Sequence, residues 1–317
     1  MTDSIEKQLQ GAVLITGPTA SGKSTLALEL AEEFGGVIIN ADSMQVYREL
    51  RIITNRPSPE DEARVSHWLY GTRPAKQPYS AALWLDGVRD ALAKAASQSK
   101  LPIIVGGTGL YFKALTEGLS EIPAIPPAIR ERIRRQAETI SPEELHSELS
   151  RRDPLTASKL RPSDPQRIAR ALEVLEATGS PLATWQAKRA APLLKLSDTY
   201  PIAVEVERAE LYRRCDERFD TLLSLGAIDE ARAMAALHLD PNLPAMRAVG
   251  LPPLMSFASG TISLSDAVSQ AKAATRQYAK RQQTWVKNNF QNWKHEKLEY
   301  KKRIKHELNI FIRISLT

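Results

Sequence analysis

Residues Gly17, Pro18, Thr19, Ala20, Ser21, Gly22, Lys23 and Ser24 satisfy the pattern G-x-x-x-x-G-K-[ST] in full. Chemically, such a stretch is a phosphate cradle. Its glycines permit a tight loop, its backbone N–H groups converge on phosphate oxygens, and a following helix adds its N-terminal dipole. Lys23 supplies a point charge to a diphosphate, and the Ser24 hydroxyl is placed to ligate Mg²⁺. Motor ATPases and many GTPases add an acid at the end of a buried strand. Here the corresponding apolar run ends in Gly106, Gly107, Thr108 and Gly109 instead. The acid follows a different run, in Asn40-Ala41-Asp42-Ser43. Ligands of open α/β sheets lie beyond the carboxyl ends of the strands. Asp42 thus reads either as a general base on an attacking nucleophile or as a turn or helix-capping residue. Thr108 reads as a turn residue or as a hydrogen-bond donor to a reacting oxygen. In Tyr212–Phe219, Arg218 follows Arg214 by one helical turn. It is a candidate second cation on a leaving diphosphate, the alternative being a surface salt bridge to Asp216 or Glu217.

These groups need a scaffold. Ala12–Thr16 is a short apolar run before the glycine-rich turn, and Lys23–Phe34 continues with helical spacing through Leu26, Leu30 and Phe34. Gly36–Asn40, Leu101–Val105 and Pro201–Val206 read as further buried strands. Non-alternating apolar strands interleaved with helices indicate a parallel sheet covered on both faces. The region from Pro123 to Asp198 lacks such runs and carries helix starts, including Ser141-Pro142-Glu143-Glu144 and Asp164-Pro165. The second start predicts Asp164 as N-cap, Pro165 at the first helical position, an end at Gly179, and Ile168, Leu172 and Leu175 on one face. The expectation is an α/β fold: a P-loop-type parallel-sheet core over residues 1–122 and 199–293, a helical insertion over 123–198, C-terminal helices, and a basic tail over 294–317 with no assigned role.

The chain has 317 residues, 43% apolar and 25% charged, with a net charge of +6. That suits a globular core with one substantial addition. Without an 18-residue apolar run or an apolar leader it reads as cytoplasmic, with no membrane partner. A single cysteine, Cys215, excludes an internal disulfide and a cysteine-based zinc site. Between Gln270 and Lys305 there are eleven Lys and Arg against two Glu, a surplus of +9. Arg130, Arg132, Arg134 and Arg135 form a second basic group. Such asymmetry suits a polyanion, or a solvated helix face. In Thr275–Trp285, Arg276 and Lys280 share one helical face, with Arg281 beside them, while Tyr278, Gln282 and Trp285 share another. Phosphate contact from the first face and stacking from the second would suit single-stranded RNA. Trp285 reads equally as core.

Seven separated motifs occur in a fixed order: GPTASGKST at 17–25, Asp42-Ser43 followed by Gln45-Val46-Tyr47, GGTGLYFKAL at 106–115, DPQRIARALEV at 164–174, ELYRRCDERFD at 210–220, MRAVG at 246–250 and TRQYAKRQQTW at 275–285. Over about residues 11–290 the chain resembles the bacterial tRNA dimethylallyltransferases, also called tRNA isopentenyltransferases. The resemblance implies a P-loop core descended from nucleotide kinases and a helical insertion that clamps a tRNA anticodon arm. It also implies transfer of a dimethylallyl group from dimethylallyl diphosphate to N6 of a flipped adenine 37, by a monomer using Mg²⁺ through Ser24. The P-loop, Gly17 to Ser24, would hold the donor diphosphate together with Arg218. Asp42 would be the base, and Thr108 would lie near the reacting centre. The segments that match tRNA contacts are Asp42, Ser43, Met44 and Gln45; Gln166, Arg167, Ile168, Ala169 and Arg170; and Arg247, Ala248, Val249 and Gly250. Arg130, Arg276, Lys280 and Arg281 join them as cations. The alternative is an adenylate isopentenyltransferase acting on free AMP or ATP. The chain differs from the family's usual sequence at Ile52–Pro57, at Ser66–Gly71 and at Leu251, and no resemblance extends past about Lys294.

Overall fold

The computed structural model describes residues 11–315. Ala12–Thr16 (β1) is wholly buried and hydrogen-bonds a neighbour on each side, as its unbroken apolar character requires. Around it lie Gly36–Asn40 (β2), His67–Trp68 (β3), Leu101–Gly106 (β4), Thr199–Glu205 (β5) and Lys294–Lys297 (β6), in the order β3-β2-β4-β1-β5-β6. All five pairings are parallel. The helices that matter for the site are Lys23–Phe34 (α1), Ala81–Ser97 (α2), Gly109–Glu117 (α3), Arg208–Ser224 (α4), Leu264–Asn289 (α5) and Lys301–Ser315 (α6).

The pleat sends alternate strand residues to opposite faces. Leu14, Ile39, Ile104 and Ala203 pack against Trp84 of α2, Phe112 of α3 and Val286 of α5. Val13, Ile15, Ile38, Ile103 and Val204 pack against Leu26 and Leu30 of α1 and Ile304 and Leu308 of α6. A third cluster joins Val46, Tyr47, Leu50 and Ile53 to Phe219 and Leu222 of α4, Leu251, and Ala271 of α5.

The chain forms two compact units. One runs to Thr116 and resumes at Leu193; the other is Glu117–Pro192. In the second unit, helices Pro127–Thr139, Pro142–Arg152 and Pro165–Thr178 surround Ile133, Leu145, Leu149, Ile168 and Leu172. Ser141 caps its helix through the Glu144 N–H at 3.2 Å, and Asp164 through the Arg167 N–H at 3.2 Å, while Gly179 closes the latter helix at φ +67°. The unit begins before the proline-rich stretch, because Ala190 N–H donates to Leu119 O at 3.0 Å and pairs its two ends.

The segment from Lys294 onward, without a role in the sequence reading, supplies β6 and α6. Its charges pair: Lys301 with Glu29 at 2.5 Å, Lys305 with Glu33 at 2.6 Å, and Arg303 with the buried Glu296. Leu298 lies so close to Gly22 that a Cβ there would stand 2.4 Å from Leu298 Cδ1.

Candidate active site

The glycine-rich loop follows β1 and opens α1. Ala20 and Gly22 take left-handed backbone, at φ +62° and +85°, which turns the loop back so that Ser21 N–H donates to Pro18 O at 3.2 Å. Side chains cap three other helices of this unit: Ser80 for α2, Glu207 for α4 and Ser263 for α5. No side chain caps α1. The amides of its first turn are therefore available to an anion.

Lys23 points back along the loop, donating to Pro18 O at 3.1 Å. Burial pushes its ammonium down to about pKa 8, a shift that Asp42 opposes and Arg218 reinforces. From α4, Arg218 reaches across to donate to Thr19 Oγ1. Burial also lowers its guanidinium from the ordinary range, and its Nε has no hydrogen-bond partner. Neither cation is within ion-pair distance of a carboxylate among the described residues. The salt-bridge alternative for Arg218 is thus not what the fold adopts: Asp216 instead holds Arg276 of α5, at 2.6 Å, and Glu217 holds Arg213 at 2.5 Å.

Asp42 sits two residues past β2, in a turn braced from three directions. Asn40 Oδ1 accepts from Asp42 N–H at 2.8 Å while Asn40 Nδ2 donates to Asp42 O at 3.0 Å and Leu69 O at 3.1 Å. Asp42 Oδ1 accepts from Met44 N–H at 2.9 Å. Its other oxygen faces the Gly107 turn, 3.5 Å from where a Cβ of residue 107 would sit. Thr108 Oγ1 accepts from Ser43 N–H at 2.9 Å and lies 3.3 Å from Ser43 Oγ, and Thr108 N–H donates to Ala41 O at 3.2 Å. Gly106 must be glycine, since a Cβ would stand 2.1 Å from Ala41 O. The turns after β2 and β4 are therefore fitted to each other, and both turn readings and chemical readings of Asp42 and Thr108 meet at one place.

Thr19, Asp42, Ser43, Met44 and Arg218 line one cavity of about 200 Å³. Its remaining walls include Ile53, Thr54, Cys215, Phe219, Leu222, Val249, Thr275 and Tyr278. The spacing of Cys215, Phe219 and Leu222 on α4, and of Thr275 and Tyr278 on α5, marks one helical face each. That periodicity was the available signal for these lining residues, but it is indistinguishable in sequence from ordinary core. Burial and the Asp42 charge both raise the Tyr278 phenol above its ordinary pKa.

The remaining sequence candidates are distributed unevenly. Arg247, though exposed, lines the same cavity beside the buried Ala248, and Gly250 packs against Phe219. Gln45 is half-buried, and its amide donates to Thr54 O at 2.9 Å and Asn55 O at 2.8 Å, supporting the cavity-lining segment. Lys280 and Arg281 are exposed, whereas Arg276 is committed to Asp216. Trp285 belongs to the apolar cluster over α3, edge-on to Phe290 at 5.0 Å. In the helical unit Gln166 and Arg167 are exposed, and Ile168 and Ala169 are buried in that unit's own core. Arg170 pairs with Glu173 at 3.3 Å and Arg130 is half-buried. Where the chain differs from its relatives' usual sequence, Arg56 donates to Tyr47 O and Arg48 O, and Leu251 is wholly buried. No helix among the described residues is long and apolar enough to cross a membrane.

Comparison with known proteins decides the family. The IPP transferase family model matches residues 45–289, and the isopentenyl transferase model matches residues 10–77. A tRNA dimethylallyltransferase of Beijerinckia indica subsp. indica is 53% identical over 277 residues, 87% of this chain and 92% of that protein. One from Parvibaculum lavamentivorans is 50% identical over 302 residues, 95% of each. This chain belongs to the IPP transferase family. Among solved structures, the full-length tRNA isopentenylpyrophosphate transferase of Bacillus halodurans superposes with a TM-score of 0.67 at 28% identity, covering 97% of this chain and all of that one. A eukaryotic dimethylallyltransferase acting on tRNA gives a TM-score of 0.74 at 27% identity, covering 87% of this chain and 70% of that one. The fold is accordingly the P-loop NTPase-like α/β sheet of this family. Between them the two family models span the P-loop, Asp42, Thr108 and Arg218.

Proposed function

We propose that this chain transfers the dimethylallyl group of dimethylallyl diphosphate to N6 of adenine 37 in the tRNA anticodon loop. The observation that carries the reading is the shared cavity. Arg218 and a carboxylate, Asp42, line the same space as Thr19 of the phosphate loop, Lys23 opens the helix that follows that loop, and neither cation has an acidic partner among the described residues. A diphosphate supplies the anion that those cations lack. The apolar walls suit an allyl chain or a base inserted from RNA.

In the reaction, the allylic C–O bond breaks and its electron pair leaves with the diphosphate. N6 supplies the electrons of the new C–N bond, and its proton goes to the free oxygen of Asp42. Lys23, Arg218 and the loop amides stabilise the charge developing on the leaving group. Thr108 keeps the Asp42 turn in register through Ser43.

Mg²⁺ fits the residues present. No group of three or more acids, histidines and cysteines gathers as a metal cage among the described residues. Ser24 would hold the ion together with diphosphate oxygens and water, the pattern that Mg²⁺ favours. Bound there, it would neutralise part of the leaving charge.

Arg247, Gln166, Arg167, Arg130, Lys280 and Arg281 are the proposed tRNA contacts of a monomer acting in the cytoplasm. Close similarity to proteins named tRNA dimethylallyltransferase over 87% of the chain or more favours tRNA over free AMP. The test incubates the protein with labelled dimethylallyl diphosphate and bulk tRNA, AMP or ATP. Label in tRNA, released on digestion as N6-dimethylallyladenosine, is expected. Label in the free nucleotide, or steady ATP hydrolysis with no transfer, overturns the reading.

A further inference from the structure

Gln282 lies on α5, is 6% exposed, and spans the gap between the two halves of the site. Its Oε1 accepts from the Thr19 N–H of the phosphate loop at 2.8 Å, and its Nε2 donates to Gly107 O, beyond β4, at 2.9 Å. The two partners fix the amide's orientation, since a backbone N–H needs an oxygen and a carbonyl needs an N–H. Gly107 is what lets the side chain in: a Cβ there would stand 2.1 Å from Gln282 Nε2. Each anchor point leads on to a reacting group. Thr19 Oγ1 accepts from Arg218, and the residue after Gly107 is Thr108, bonded to the turn that carries Asp42. Glutamine is the side chain of this length that offers one acceptor and one donor. Methionine fills the same volume with neither, and glutamate keeps the acceptor but loses the donor.

We propose that Gln282 is a positioning residue that sets the distance between the donor's leaving group and the base acting on the acceptor. It touches neither reacting centre. This rests on the proposed prenyl transfer, in which carbon, nitrogen and leaving oxygen must come into line. A displacement of about 1 Å in such a geometry costs on the order of 10²-fold in rate. The same strut makes the phosphate loop and the Asp42 turn shift together.

The test uses the full chain with Gln282→Met and Gln282→Glu, measuring single-turnover transfer, donor affinity, tRNA affinity and melting temperature. Transfer by the wild-type protein tests the function reading separately, so its failure is not confused with failure here. Gln282→Met is expected to lower the transfer rate roughly 10- to 100-fold, with both affinities within about threefold of wild type. Gln282→Glu is expected to regain rate relative to wild type as pH falls, because a protonated carboxyl again donates to Gly107 O. The Met variant should show no such recovery. The proposal is overturned if the Met variant transfers at the wild-type rate, or if its loss is wholly a weakened donor affinity. It is equally overturned if the Glu variant follows the pH profile of the Met variant.

Discussion

The phosphate-loop site and the helical unit treat arginine and lysine in opposite ways. In the helical unit, Arg132 pairs with Glu176, Arg134 with Glu173 at 3.4 Å, Arg135 with Glu131 at 2.9 Å and Arg152 with Glu148 at 3.0 Å. Glu173 is 4% exposed and is held by Arg134 and Arg170 together. At the phosphate loop, Lys23 and Arg218 are lowered in pKa by burial and have no carboxylate at ion-pair distance among the described residues. Burying an uncompensated charge is unfavourable. The first arrangement neutralises its charges within the fold, while the second costs stability that an anion arriving from outside, as proposed above, would offset. A basic cluster read from sequence does not distinguish the two. Arg132, Arg134 and Arg135 look like an RNA patch in sequence and prove to be internally neutralised.

Several measurements would break or sharpen that contrast. The largest effect is expected at Asp42. Asp42→Asn should lower transfer about 10²–10⁴-fold with tRNA affinity retained, as for loss of a general base. Unchanged turnover would leave Asp42 only its turn-bracing bonds.

Next, Lys23→Met and Arg218→Met should weaken donor binding by roughly ten- to a hundredfold, the scale of a lost charge-assisted contact. The ligand-free protein should melt no lower than wild type. Arg134→Met should do the reverse, lowering the melting temperature and sparing the donor. If the pocket variants were the less stable set, the two regions would not differ in kind.

A smaller effect is expected from pH. The folded Lys23 ammonium titrates near 8, below its ordinary 10.5, so the ligand-free protein sheds that proton first. Donor affinity should therefore decline as pH rises through about 8. Between the two values the unfolded chain binds the extra proton, so Lys23 makes ligand-free stability rise with pH in that window. Calorimetric titrations of wild type and Lys23→Met, compared at pH 7 and pH 9, check both signs. Identical pH slopes in the two proteins would remove Lys23 as the titrating group.

The smallest effect concerns α5. Replacing Lys280 and Arg281 with Gln should reduce the slope of log K for tRNA against log salt by about 0.7–0.9 per cation. Arg276→Gln should change it less, because Asp216 already neutralises Arg276. A full unit from Arg276 would show that the ion pair opens on RNA.

Much of the scaffold was legible. β1, α1 and β2 begin and end where buried runs and helical spacing place them, and Asp164, Pro165 and Gly179 delimit their helix as capping chemistry requires. The two edge strands were not. β3 has two residues, and β6 reads Lys-His-Glu-Lys, with no apolar run to betray it. Within the site, the phosphate loop and the position of Asp42 beyond β2 were legible because the loop pattern and the end of the buried run fix both in the sequence. Gln282 was not, since a glutamine on a basic helix resembles any solvated one until its two partners, far away in sequence, are known. Gln45 carries a bond invisible in the sequence in the same way, since its amide serves the backbone of Thr54 and Asn55.

The contact of Leu298 with Gly22 has a consequence in time. The phosphate loop and the side chain that lies against its helix start, Leu298, stand far apart along the chain. Contacts between such distant positions form late in folding, after the costly closure of the intervening chain. In folding, the loop therefore lacks this brace until β6 has docked on β5.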